Sequence, residues 1–145
     1  MTGTLFGLTF TLAAPFWALM ILAPSWSWTR RIIESPLIAV PIALIYAVLV
    51  ASEWGAILPA VLTPSFVDVR ELLATATGAA AAWAHMIAFD LFVGRWSYLD
   101  SRERRIPAVV MAPVLLLTIL LGPLGLLAYL AVRRWAVTPA EQHLG

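Results

Sequence analysis

Three side chains able to carry or stabilise a proton fall at even spacing in one apolar stretch: His85, Asp90 and Arg95, within WAHMIAFDLFVGRWSYLD over residues 83–100. With Arg95 and Trp96 at the head-groups, Asp90 would lie about 7.5 Å inside the membrane and His85 about 15 Å inside, close to the midplane. Charging such a group against lipid costs several kcal/mol even on lenient scales, so both are expected to point into protein. A carboxyl and an imidazole in apolar surroundings can serve as acid and base near neutral pH. The same residues can equally set helix register, with Asp90 and Arg95 as an ion pair and His85 as a donor to a neighbouring carbonyl. At 3.6 residues per turn, His85 and Asp90 are about 140° apart, as are Asp90 and Arg95, while Glu71 falls within about 40° of His85. A partner for Asp90 must then come from another helix, from a break at Gly94, or from Arg95 folding back. One deep His without HxxH or HExxH spacing supplies too few ligands for a metal, and His143 lies in the tail, so neither a metal nor a cofactor is expected.

Around these residues stand others suited to binding. Trp83 and Trp96 offer aromatic surface to a ligand, a head-group or a packing partner. Asp100 and Arg102, with Glu103, Arg104 and Arg105, alternate in charge as in a solvated loop, or as a clamp for an anionic head-group. Gly122, Pro123 and Gly125 loosen the last apolar run where a ligand or another helix comes close, or make a tolerated kink.

The elements that position these groups are membrane helices. Hydrophobic residues make up 62% of the 145 and charged residues 12%, against roughly 45–50% and 25% in soluble domains. Barrels would show alternating segments of about 10 residues, whereas these apolar runs are continuous. The expectation is all-α: one transmembrane domain, residues 1–145, a bundle of about four helices spanning 5–24, 35–52, 69–93 and 107–132. The first run lacks the basic start and A-x-A site of a cleaved signal and is read as a retained helix that Pro15 kinks. Pro36 suits the first position of the second helix. Residues 52–68, with Gly55, Pro59 and Pro64, read as a surface connector anchored by Trp54 and Phe66, or as a re-entrant element. Asp68 is the expected N-cap of the third helix, with Glu71 in capping-box spacing, and Ala74, Gly78 and Ala82 are the expected strip for close helix approach.

Charge sets sidedness. All nine basic residues are Arg. Arg30, Arg31, Arg95, Arg102, Arg104 and Arg105 flank two connectors, against Arg70, Arg133 and Arg134 on the other side, which places both termini outside the cytoplasm. A net charge of +1 gives no nucleic-acid footprint, and the absence of Cys removes thiolate and disulfide chemistry. Lysine-free, Ala- and Arg-rich usage points to a GC-rich bacterial source and hence to an inner membrane.

The stretch AFDLFVGRW from Ala88 to Trp96, then Asp100, and GPLGLL from Gly122 to Leu127 resemble the abscisic-acid-deficient-four family of plants, and the likeness extends over nearly the whole chain. The resemblance implies a membrane protein of about this size. Its plant member is implicated in forming neoxanthin from violaxanthin, an intramolecular epoxide opening that creates an allene. The positions carried over with the shared motif are Asp90, Gly94, Arg95, Asp100, Gly122, Pro123 and Gly125. On that basis the chain would be a cofactor-free isomerase or modifying enzyme for an isoprenoid, carotenoid-like or lipid substrate. Asp90 would be the acid, His85 the base or orienter, and Arg95 the stabiliser of the developing oxyanion. The alternative is a non-enzymatic scaffold or a pigment- or lipid-binding protein. Its expected partners are membrane lipids, an apolar isoprenoid ligand, and a second copy or another membrane protein.

Overall fold

The computed structural model describes residues 1–136, so His143 lies outside the described residues. The elements are α1 (Thr2–Leu22), α2 (Ser27–Ile33), a 3-10 turn (Pro36–Ala39), α3 (Val40–Ser52), α4 (Trp54–Leu62), α5 (Phe66–Ala74), α6 (Ala76–Glu103), α7 (Ala108–Leu120) and α8 (Gly122–Trp135). The protein is an all-α, polytopic membrane bundle. Among the described residues, α1 and α6 are long and apolar enough to cross a bilayer, and α2 with Pro36–Ser52 makes a third candidate bent by 69°. Four full spans, as expected from the apolar runs, are not seen.

α6 is the axis of the bundle. α1 runs parallel to it: Phe6 stacks on Trp83 at 5.2 Å, the Trp17 ring presses on Gly94, and the Tyr98 hydroxyl donates to the Pro24 carbonyl at 2.7 Å. A Cβ on Gly94 would lie 2.3 Å from that indole, so only glycine lets α1 approach this closely. α3 packs antiparallel on another face, with Leu49 buried against Ala80, Ala81 and Ala84. The close-approach strip is thus these three alanines. Gly78, expected to join it, sits under the Leu72 carbonyl at the α5–α6 turn, where a Cβ would come within 2.0 Å of the oxygen.

Hydroxyl residues decide where helices start. Ser65 accepts from the Asp68 amide at 3.1 Å and Thr75 accepts from the Gly78 amide at 3.0 Å, each with an extended backbone, so α5 and α6 begin separately. Asp68 is therefore inside the first turn of α5, and the break at Thr75 dissolves the wheel relation between Glu71 and His85. The expected surface connector is mostly helical, since α4 continues through Pro59. α1 likewise runs unbroken through Pro15. At its far end α6 extends to Glu103, which carries Asp100 and Arg102 onto a helix in place of the expected loop.

The run expected as one helix over 107–132 is a hairpin reversing at Leu121. A Cβ on Gly125 would lie 2.4 Å from the Cα of Thr118, whereas seven residues of straight helix separate such atoms by about 10 Å. Gly122 abuts Asp90 while Arg133 binds Asp100 through Nε at 2.8 Å, so α8 descends alongside α6 in the same direction and α7 runs against both. The start of α1 and the end of α8 consequently lie at opposite ends of the bundle.

Candidate functional site

Asp90 occupies the middle of α6, half-buried, with its carboxylate on the hairpin tip: a Cβ on Gly122 would stand 1.8 Å from Oδ1. Gly122 and Pro123 open α8. The carboxylate therefore meets the N-terminal end of a helix, where the dipole favours negative charge.

Arg95 points elsewhere. Its Nε donates to the Ile33 carbonyl at 2.8 Å and a second nitrogen donates to the Glu34 carbonyl, so the guanidinium satisfies the free carbonyls that end α2. His85 is exposed on the outer face of α6, stacked on Phe89 at 4.7 Å and tilted against Tyr46 of α3 at 5.6 Å. The three residues expected to work together thus engage three different elements: the hairpin, α2 and α3.

The expected binding residues form a second group at the lower end of α6. Asp100 accepts from Arg104 at 3.0 Å, from Arg133 at 2.8 Å and from the Tyr129 hydroxyl. Trp96 meets the Tyr129 ring edge-on at 5.2 Å, with the Arg133 guanidinium 5.8 Å above its indole. Together they fasten the end of α8 to α6. Arg102 donates to the Ile106 carbonyl and lies 6.0 Å over the Tyr98 ring, holding the turn into α7. Trp83 stacks under Phe6, its Nε1 buried without a hydrogen-bond partner. Gly125 admits the close crossing of α8 over Thr118.

Space for a ligand lies along the outer seam of α3 and α6. A recess of about 300 Å³ is lined entirely by apolar side chains, Ala39, Ala43, Ala88, Phe89 and Phe92. Next to it a second, about 240 Å³, is walled by Tyr46, Val50, Ile57, Leu72, Ala81 and His85. The His85–Phe89 stack is the boundary between them. A larger opening of about 520 Å³, around Asp68 and Glu71, lies between α4 and α5 and shares Leu72 with the second recess. Among the described residues no three His, Asp or Glu side chains gather as a metal site would require.

Tyr46, Phe89 and Tyr129 were not singled out from sequence. Tyr46 carries the one side-chain hydroxyl of its apolar run, and Tyr129 stands four residues before Arg133 on one helix face. Both spacings are signals a reader of the sequence could have used.

An all-α bundle built on α6, with the α7–α8 hairpin on one side and an apolar outer seam on another, defines a small multi-pass membrane protein. The chain belongs to the ABA DEFICIENT 4-like family, whose match covers residues 4–129. It is 26% identical over 113 residues to Protein ABA DEFICIENT 4, chloroplastic, of Arabidopsis thaliana, covering 72% of this chain and 50% of the plant protein. The chain thus spans about half the length of that relative. No solved structure matches it.

Proposed function

We propose that the protein holds an apolar isoprenoid, carotenoid-like or lipid molecule against the outer seam of α3 and α6, without transforming it. The observation that carries this reading is the pair of adjoining recesses with the His85–Phe89 stack between them. Lipid tails are as apolar as these walls, so hydrophobicity alone cannot select an occupant here. Selection falls to shape and to the few polar or aromatic groups present. Phe89 and Phe92 suit a flat conjugated chain, and the imidazole of His85 and phenol of Tyr46 suit a hydroxyl or carbonyl borne on it. The plant relative's name records ABA deficiency and a chloroplast location, and an isoprenoid ligand accords with both.

A second reading, an isomerase using acid–base chemistry, draws on Asp90 alone. Its carboxylate meets the hairpin tip in mid-helix, but His85 and Arg95 are committed to α3 and α2. Opening an epoxide needs a proton delivered to oxygen and another removed from carbon. Asp90 would have to perform both in turn.

Expression in a polyene-producing bacterial host, purification, and mass spectrometry of retained small molecules separates the two. A binding protein retains an isoprenoid, loses most of it in His85→Ala and Phe89→Ala, and keeps it in Asp90→Asn. An empty purified protein, with a host isoprenoid profile altered by wild type and restored by Asp90→Asn, would replace this reading with the enzymatic one.

A further inference from the structure

We infer that α7 and α8 form a re-entrant hairpin that enters and leaves the membrane on the same face, so that residues 1–136 cross three times and the start of α1 and the end of α8 lie on opposite sides. The inference rests on lengths, contacts and charge, independently of any ligand.

α7 has 13 residues and α8 has 14, about 20 Å each, against roughly 30 Å of hydrocarbon. Neither spans alone, and the reversal at Leu121 prevents them from spanning in series. The return is fastened at the bottom by Arg133 on Asp100 and by Arg104 donating to the Ala136 carbonyl at 3.4 Å. The tip has the character of an element inside lipid: Leu120, Leu121 and Leu124 are exposed, while Gly122, the first residue of α8, is buried beneath Asp90. The backbone of Leu121, the non-helical residue of the turn, is satisfied within the hairpin, its amide donating to the Leu117 carbonyl at 2.8 Å and its carbonyl accepting from the Leu124 and Gly125 amides, as a chain reversal at membrane depth requires.

Folding the hairpin back moves Arg133 and Arg134 onto the face that already carries the arginines of α2, the lower end of α6 and the α6–α7 turn. Every Arg of the chain except Arg70 then lies on one side. Exposed Trp26, Trp28 and Trp135 mark the same level, as an interfacial belt would. Reading all elements as spans divides the arginines six to three. The hairpin divides them eight to one, a far stronger positive-inside signal, and assigns the basic face with the end of α8 to the cytoplasm of a bacterial host and the start of α1 with α4 and α5 to the far side.

The chain contains no cysteine, so single-cysteine variants of the full-length protein need no other change. Gly3 and Gly55 have open space where a Cβ would stand and report the far side. Glu103 and Arg134 are exposed and report the basic side. Two reporters per side keep the comparison valid if one variant does not insert. With an impermeant maleimide applied to intact spheroplasts, Gly3→Cys and Gly55→Cys should be labelled, while Glu103→Cys and Arg134→Cys should react only after the membrane is opened. Labelling of Arg134→Cys together with Gly3→Cys in intact spheroplasts would mean that α8 completes a crossing, and would overturn the inference.

Discussion

Asp90 and Gly122 share one small volume, and the missing Cβ of the glycine is what makes room for the carboxylate. Gly122→Ala should therefore destabilise the protein by about 1–3 kcal/mol, the usual cost of overpacking. Most of that loss should disappear in an Asp90→Ala background, because the obstructing atoms belong to a side chain. Thermal unfolding of the two single variants and the double variant in detergent measures this coupling. Gly125→Ala should behave differently: its Cβ meets the backbone of Thr118, which no partner mutation removes. The residues legible as special in the sequence, Asp90, Arg95, Asp100, Gly122 and Gly125, all sit at contacts between elements. Which element each would contact was not legible. A wheel places side chains around one helix and says nothing about α2 or α8 folding back onto it.

At the scale of elements, two tethers hold the short helices. Arg95 ends α2, and Arg95→Ala should cost roughly 1.5–3 kcal/mol, the range for a charge-assisted hydrogen bond. The loss should be local, read as faster amide exchange over residues 27–34 with little change in α1 or α6. Asp100 gathers Arg104, Arg133 and Tyr129. Asp100→Asn should lower thermal stability by a similar roughly 1.5–3 kcal/mol and free the C-terminal half of α8, whereas Tyr129→Phe should cost about 1 kcal/mol. The early apolar runs were readable because length and hydropathy decide them. The breaks at Ser65 and Thr75 were harder, since a hydroxyl inside an apolar-to-small stretch caps a helix only when the backbone before it is extended, as it is here. The hairpin was harder still. Gly122 and Pro123 are compatible with a kink or a reversal, and the choice is made by distant partners, Asp90 and Asp100.

For the molecule as a whole, composition alone identified lipid as the solvent and helices as the spanning form, and the bundle accords with both. Sidedness turns on one choice: whether the last apolar run is counted as a crossing or as a return. The seam between α3 and α6 lay outside a sequence reading that sought polar groups turned inward, because its key residue, His85, faces outward. That seam is the centre of the functional account, and filling it is the most direct way to test it. Ala43 lines the apolar recess and is exposed, so Ala43→Phe should occupy the space without disturbing the core. Titrating the detergent-purified proteins with a hydroxylated polyene and following its absorption band should give a saturable shift for wild type and little or none for Ala43→Phe. The same shift in both proteins would contradict binding at this seam.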